Sequence, residues 1–214
     1  MPAITAERSQ QRYSLILDAA TDVFSEGGFE GSSIADVASR AGVSEGLIYK
    51  YFRDKRDLLA QVLAAFNDRI MDELEAELAE HDTFHEKLQV VIAHRLRSIA
   101  QYPGLTRLYV SQVRSASNEP GLDVRTLSRR AAKLWTRMCA EALSRGEIAP
   151  GLQLDVIRDA IWGAIEHLAW IQTSGRSRQS AEQIARGLTD FYLNGMRNPK
   201  LRSKTRKEQI GRVP

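Results

Sequence analysis

The sequence predicts an all-α protein with a small three-helix domain at its N-terminus and a larger helical domain after it. Apolar residues recur at steps of three and four along most of the 214 residues, which is the period of an amphipathic helix. No segment alternates apolar and polar residues over the length of a strand. Glycine, proline and N-cap residues divide the chain into pieces of helical length.

The first two helices have clear ends in the sequence. Residues 8–26 form an amphipathic helix that is followed by two glycines, and glycine commonly ends a helix. Ser32 or Ser33 then caps a short second helix. This second helix stops before Gly42 because glycine supplies the turn conformation that follows it.

The next two helices also begin at polar caps. Ser44 caps a third helix over residues 45–51, and Asp54 caps a long fourth helix that continues to Leu78. The later predicted helices cover residues 84–101, 105–116, a long segment ending at Gly146, residues 155–173, and a last helix from the cap Ser180 to Asn194.

Composition predicts a cytoplasmic protein with three segments. The single cysteine, Cys139, cannot form an internal disulfide, and the N-terminus lacks the apolar core of a signal peptide. Residues 197–214 hold seven Lys or Arg against one acid, so we expect a basic, flexible tail that is either simply solvated or able to meet phosphates. The sequence is thus divided into an N-terminal domain over residues 1–53, a larger helical domain over 54–196 and the basic tail over 197–214.

The string Gly42-Val43-Ser44-Glu45-Gly46 fits the Gly-x-Ser-x-Gly pattern of an esterase nucleophile elbow. That motif needs a buried strand immediately before it, because the strained strand-to-helix turn exposes the serine hydroxyl. The preceding residues read as a helix instead. The sequence therefore favours a capping role for Ser44, which also makes it a candidate phosphate contact.

The same residues fit a helix-turn-helix that binds DNA. A small residue, Ala38, lets two helices cross closely, and Gly42 supplies the turn between them. Val37, Val43 and Ile48 face inward and hold the second helix. Its outer side carries Glu45, Gly46, Tyr49 and Lys50, with Arg53, Lys55 and Arg56 just beyond. Such a face suits the major groove, with cations on the flanking phosphates.

Residues 8–65 resemble the TetR family of bacterial transcriptional regulators. The resemblance is carried by Ile16-Leu17-Asp18-Ala19-Ala20, Phe24-Ser25-Glu26-Gly27-Gly28-Phe29, Ser33-Ile34, Val37-Ala38, Ala41-Gly42-Val43-Ser44, Gly46-Leu47-Ile48-Tyr49, Tyr51-Phe52 and Lys55-Arg56-Asp57-Leu58-Leu59. It implies a helix-turn-helix domain on a helical dimerisation and ligand domain. The implied function is repression at a palindromic operator, relieved by a small apolar or amphipathic effector.

The resemblance also implies the residues that contact double-stranded DNA. They are Ser33, Ser44, Glu45, Gly46, Tyr49, Lys50, Tyr51 and Lys55. An acid facing a phosphate-rich groove is costly unless it accepts from a cytosine amino group. We therefore hypothesise that Glu45 helps to set base preference, the alternative being a solvated or intrahelical glutamate.

The last two helices are too apolar for the surface of a monomer, and the resemblance implies that they form a homodimer interface. The interface residues would be Ile157, Ala160, Ile161, Ala164, Leu168, Ile184, Leu188 and Phe191. Two copies would read two half-sites about one helical turn apart.

An effector site is implied where large apolar residues converge, although residues of this kind also form ordinary cores. The candidates are Phe66, Ile70, Leu96, Ile99, Leu108, Val113, Trp135, Met138, Trp162 and Ile165. Two segments, 108–114 and 163–167, resemble family members that sense fatty acyl-CoA. We expect a lipophilic effector, with acyl-CoA among the candidates.

The sequence offers no cofactor, metal or catalytic site. Glu77, His81 and His85 have the spacing of metal ligands on one helix face, but Asp82 and Thr83 break the helix between them. Phosphate-binding loops, zinc-hydrolase motifs and paired cysteines are missing. The alternatives left open are an activator of the same family, a non-specific DNA binder, and a helical enzyme.

Overall fold

The computed structural model describes residues 2–115 and 124–196, which form nine α-helices and no β-strand. They are α1 Pro2–Gly27, α2 Ile34–Ala41, α3 Glu45–Ile48, α4 Lys55–Leu78, α5 Phe84–Gln101, α6 Pro103–Ser115, α7 Val124–Ser144, α8 Leu154–Thr173 and α9 Ala181–Met196. The all-α prediction is confirmed. The predicted tail, 197–214, and the side chain of Val113 lie outside the described residues.

Most helix boundaries lie within two residues of the prediction, and three differ in an informative way. Helix α1 begins at Pro2, six residues before the predicted start. Helix α3 ends at Ile48, and the chain continues as turns in which Tyr51 and Phe52 both donate to the Ile48 carbonyl. Helix α6 begins at Pro103 itself, since proline fits the first helical position, where no intrahelical N–H bond is lost.

The chain folds into two compact units. Of the described residues, the first unit contains 2–71, 101–115 and 124–129, and the second contains 72–100 and 130–196. The first unit extends past residue 53 because α4 contributes buried side chains as far as Ile70 to its core. The boundary predicted after residue 53 stays a prediction.

The core of the first unit is aromatic at its centre. Phe24 and Phe52 are almost completely buried, and the ring of Tyr13 stacks on Phe52 with centroids 5.2 Å apart. Helix α1 packs against α2 and α6, and α2 packs against α3. Burying each large apolar side chain contributes roughly 1.5–3 kcal/mol, so this core fixes the short helices that could not be stable alone.

The start of α6 approaches α1 very closely. A Cβ added at Gly104 would lie 2.4 Å from the Ser25 carbonyl oxygen, which is far inside van der Waals contact. Only glycine fits here without a shift of either helix. This contact sets the position of α6 on the last turns of α1.

The second unit combines an apolar core with ion pairs between helices. Leu88, Ile92 and Ile165 are almost completely buried. Arg97 on α5 donates to Glu77 on α4 at 2.7 and 2.8 Å and to Glu182 on α9 at 3.0 Å. None of the helices in the described part of the chain has the length and apolar character that crossing a bilayer requires.

Candidate nucleic-acid interface

The turn between α2 and α3 is built on a left-handed glycine. Gly42 has φ 64° and ψ 36°, and its N–H donates to the Ser39 carbonyl at 3.3 Å. The next N–H, of Val43, donates to the Ala38 carbonyl at 3.0 Å. A side chain in this conformation costs roughly 1–2 kcal/mol. The turn therefore depends on Gly42, as the sequence predicted.

One side of α3 is held in the core. Ile48 is fully buried, and the α2 residues Val37 and Ala38 are buried in the same cluster. Val43 and Tyr51 are partly buried against it. The rotation of α3 about its axis is fixed by these contacts, so its opposite side must face away from the core.

The outward side of α3 carries predicted DNA-contact residues. Glu45, Gly46 and Lys50 are exposed, and Tyr49 is 54% exposed despite its large ring. A Cβ added at Gly46 would meet no atom within 4 Å. Glycine in a helix costs about 1 kcal/mol relative to alanine, and the packing of this chain supplies no reason for it. The open space above Gly46 leaves room for another molecule.

The two predicted serine contacts are helix caps. The Ser33 hydroxyl accepts from the Asp36 N–H at 3.1 Å and donates to the Asp36 carboxylate at 2.6 Å, completing a capping box with the Ser33 N–H. These hydrogen bonds hold the pKa of Asp36 below its usual range. The Ser44 hydroxyl accepts from the Leu47 N–H at 3.3 Å. Both serines are exposed, so capping leaves them accessible.

Lys55 stands at the start of α4 with its ammonium over an aromatic ring. Its Nζ lies 4.3 Å from the centroid of Phe29. The sequence predicted Lys55 as a phosphate contact without this partner. The cation–π contact orients the side chain and leaves the other face of the ammonium for an anion.

Two arginines near this surface, Arg40 and Arg53, are paired with carboxylates. Arg40 donates to Glu26 at 2.7 Å and to Asp22 at 3.4 Å, and the hydrogen bond from Arg40 lowers the pKa of Glu26. Arg53 donates to Asp54 at 3.0 Å. Lys50, by contrast, makes no ion pair with any described residue. An unpaired positive charge therefore lies directly after α3.

Two side chains that the sequence did not single out border this surface. The Ser9 hydroxyl of α1 donates to the Tyr51 hydroxyl at 3.3 Å, and the ring of Tyr13 lies edge-on to that of Tyr51. Both contacts join residues about forty positions apart, so local patterns in the sequence carry no signal for them.

The predicted effector-site residues are divided between the two units. Phe66, Ile70 and Leu108 are buried in the first unit, whereas Leu96, Trp135, Met138 and Ile165 are buried and Ile99 and Trp162 half-buried in the second. Trp135 donates its indole N–H to the Leu154 carbonyl at 3.0 Å, which fixes its ring.

The predicted dimer-interface residues fall into two groups. Ile161 and Ile184 are buried within their own unit, so they are not available for direct contact with a second copy, and their prediction as interface residues is wrong in this respect. Phe191 is 71% exposed. The others are exposed or half-buried, namely Ile157, Ala160, Ala164, Leu168 and Leu188.

The histidines and the cysteine have other surroundings than a metal or nucleophilic site would need. The Glu77 carboxylate is hydrogen-bonded to His94 Nδ1 at 3.2 Å and accepts from Arg97. His85 Nε2 lies 3.6 Å from the Asp190 carboxylate. Within the described ranges no three His, Cys, Asp or Glu residues are placed to hold a metal ion. Burial raises the pKa of the Cys139 thiol to about 11, so it stays protonated at neutral pH.

Known proteins resemble the chain along most of its length. The fatty acid metabolism regulator protein of Bacillus subtilis is 23% identical over 192 residues, covering 90% of this chain and 99% of that protein. The transcriptional repressor KstR2 of Mycolicibacterium smegmatis is 24% identical over 197 residues, which cover 90% of this chain and 94% of that protein. The crystal structure of Bacillus subtilis FadR with stearoyl-CoA has a TM-score of 0.73 at 23% identity, covering 86% and 99%.

Two family models match the chain and together span both parts of the predicted architecture. The model of bacterial regulatory proteins of the tetR family matches residues 16–62, which include α2, the Gly42 turn and α3. The tetracyclin repressor-like C-terminal domain matches residues 81–196. The chain therefore belongs to the TetR family of bacterial regulatory proteins.

Proposed function

We propose that this protein represses transcription by binding a palindromic operator as a homodimer and leaves the DNA when a small lipophilic effector binds. The observation that carries the proposal is the exposed surface formed by Glu45 and Gly46 on α3 and by Tyr49 and Lys50 directly after it, opposite the buried Ile48. A rigid helix with one polar, accessible side fits the major groove.

Each exposed residue on α3 or directly after it has a physical role in this proposal. Gly46 lets the helix backbone approach the base pairs, because no side chain intervenes. Tyr49 donates its hydroxyl to a phosphate, and Lys50 adds a cation at the groove edge. Glu45 accepts from a cytosine amino group and sets base preference at that position.

The homodimer is supported by an outward face on α8 and α9. Phe191 is largely exposed and lines, with Leu152 and Ile157, a crevice of about 490 Å³. Added Cβ atoms at the helical glycines Gly163 and Gly187 would meet nothing within 4 Å. Such glycines weaken a helix, and close approach of a second copy gives them a purpose.

The effector proposal combines large buried apolar side chains with the ligands of relatives. The Bacillus subtilis FadR structure contains stearoyl-CoA, and the Mycobacterium tuberculosis relative KstR2 is a ketosteroid transcriptional regulator. A stearoyl chain and a steroid skeleton are both large and apolar. In this chain Leu96, Met138 and Ile165 are large apolar side chains buried in the second unit, and methionine adapts readily to the shape of a ligand. We propose a long-chain acyl thioester, with a sterol-like compound as the second candidate.

The coupling between effector and operator is assigned to α4, a continuous helix whose residues belong to both units. A ligand that favours one position of α4 changes the spacing of the two α3 helices in the dimer. A coupling free energy of about 1–3 kcal/mol changes operator affinity roughly five- to 150-fold.

The proposal is tested by selecting random duplex DNA with the purified protein at roughly physiological salt, where non-specific phosphate binding is weak. The expected result is an enriched inverted repeat, bound by two copies. The Glu45→Ala variant should select the same repeat with relaxed preference at one position per half-site. Absence of any enriched sequence would overturn the operator-binding proposal, and an unchanged preference would remove the role of Glu45.

The effector is tested with the selected duplex. Stearoyl-CoA, free coenzyme A, stearate and a sterol are each added to the protein–DNA complex, and release is followed by fluorescence anisotropy. Release by stearoyl-CoA alone identifies an acyl thioester, and release by the sterol alone identifies the second class. Release by none of them overturns the lipophilic-effector proposal while the operator result stands.

A further inference from the structure

We propose that Arg8 and Arg12, in the N-terminal turns of α1, bind backbone phosphates that flank the bases read by α3. This inference rests on the proposed operator binding and extends it to a part of the chain that precedes the family match at residue 16. The ligand chemistry is the phosphodiester of duplex DNA. Arginine binds phosphate through a planar pair of N–H groups, which favours it over lysine for such contacts.

The first step is the position of this part of α1. Ser9 lies between the two arginines in sequence, and its hydroxyl donates to the Tyr51 hydroxyl at 3.3 Å. One turn later, Tyr13 stacks on Phe52 and donates to the Gln61 side chain at 3.3 Å. The early turns of α1 are therefore fixed beside the residues that follow α3.

The second step is the chemistry of Tyr51. Because its hydroxyl oxygen accepts from Ser9, its own hydroxyl hydrogen remains to be donated. A phosphate that receives this hydrogen would lie next to the Ser9 turn of α1. Arg8 and Arg12 are one turn apart and lie on the same face of that helix, so both can meet one stretch of DNA backbone.

The third step is charge. Arg8 and Arg12 are exposed, and neither makes an ion pair with any residue in the described part of the chain. Arg40 and Arg53 of the same unit are instead neutralised by Glu26 and Asp54. Glu7 is the one acid from residue 6 to residue 17, so this part of α1 stays positive. Lys50, which follows α3, is likewise exposed and makes no ion pair with any described residue.

The experiment compares the full-length protein with the Arg8→Ala/Arg12→Ala variant on the duplex selected by the wild-type protein. Dissociation constants are measured from about 50 to 200 mM salt, the range over which phosphate contacts are strongly weakened. A plot of log affinity against log salt concentration has a slope whose magnitude falls by about 0.9 for each phosphate contact that is lost. Because a dimer loses four arginines, the slope should become shallower by about 3 to 4, with unchanged base preference.

The matched control is Lys133→Ala/Arg137→Ala, which removes two exposed cations at the same spacing from α7. It should leave the slope unchanged. The Arg8→Lys/Arg12→Lys variant keeps the charge and should keep most of the slope. Circular dichroism confirms that each variant is folded. In a second measurement the duplex is shortened at both ends. The shorter duplex should bind the wild-type protein less tightly, whereas its affinity for the double alanine variant should be unchanged.

The outcomes separate this inference from the proposed function. If the wild-type protein selects an operator and the double alanine variant keeps its salt slope, the α1 contact is overturned and operator binding stands. An equal loss in the α7 control would also overturn it, because the effect would then be one of net charge. If the wild-type protein selects no operator, both proposals fall.

Discussion

The Lys55 ammonium lies 4.3 Å from the centroid of the Phe29 ring, and that ring in turn lies edge-on to the buried ring of Phe24. A residue at the first position of α4 is thereby attached to the turn between α1 and α2. The cation is held by a ring that is itself anchored in the core. The start of α4 is therefore linked through Phe29 to the core of the first unit.

The contact between Lys55 and Phe29 should have a measurable free energy of its own. Phe29→Leu keeps an apolar side chain but removes the ring, and Lys55→Met keeps the length but removes the charge. A double-mutant cycle of urea unfolding should give a coupling of about 0.5–1 kcal/mol, as expected for a partly exposed cation–π pair. A coupling near zero would show that the two side chains are merely adjacent.

Gly46→Ala should separate stability from DNA affinity. The added Cβ meets no atom within 4 Å, and alanine is the better helix former, so unfolding free energy should rise by about 0.5–1 kcal/mol. Affinity for the selected duplex should fall roughly tenfold, or about 1.4 kcal/mol, because the methyl group prevents close approach. Urea unfolding and fluorescence anisotropy measure the two effects. Equal or tighter DNA binding would contradict the role of Gly46.

Gly104→Ala should lower the unfolding free energy, in contrast to Gly46→Ala. Its Cβ would lie 2.4 Å from the Ser25 carbonyl oxygen and 2.8 Å from the Ser25 Cβ, so α1 or α6 must shift. Overpacking of this kind typically costs about 1–3 kcal/mol, and urea unfolding would show it. Gly46→Ala is the matched control, since it adds the same methyl group in open space. A Gly104→Ala variant as stable as wild type would mean that α6 moves without cost.

Local chemistry predicted most of the fold because helix ends are encoded by nearby residues. The caps Ser44 and Ser180 and the left-handed Gly42 are where the sequence predicted them, and of the two candidates Ser32 and Ser33 it is Ser33 that caps α2. α5 has the predicted ends, Phe84–Gln101. The end of α3 was not predictable in this way, because its last residues follow the packing of Phe52 on Tyr13, a contact between distant parts of the chain.

Surface assignments were harder to predict because both sides of an apolar helix look alike in sequence. On α8 and α9, periodicity identifies apolar positions but does not tell core from outward face. Ile161 and Ile184 are buried inside their own unit, whereas Phe191 projects outward. The Ser9–Tyr51 hydrogen bond has no local signal at all. Such features depend on tertiary packing.

Asp36 should make stability depend on acid pH. Its pKa is lowered by the hydrogen bonds from the Ser33 hydroxyl and N–H. A lowered folded-state pKa means that the stabilisation is complete above the usual aspartate value of about 3.9 and is lost as pH falls through the folded-state value. Urea unfolding of Asp36→Asn at pH 5 and pH 3 should therefore show a smaller decrease than wild type. The same decrease in both proteins would contradict the capping-box contribution.

Phe191→Lys should convert the proposed dimer into monomers. Phe191 is 71% exposed in the single chain, and in a two-fold interface each copy would bury one such ring, contributing roughly 1.5–3 kcal/mol apiece. A lysine there places a charge in an apolar contact, opposed by its symmetry mate. Sedimentation velocity should show a folded monomer that binds the selected duplex weakly, since one copy reads one half-site.

Leu15→Lys, at a site 48% exposed in the other unit, is the matched control and should remain dimeric. If Phe191→Lys also stays dimeric, the two-fold contact lies away from α9, and the open glycines Gly163 and Gly187 require a different partner.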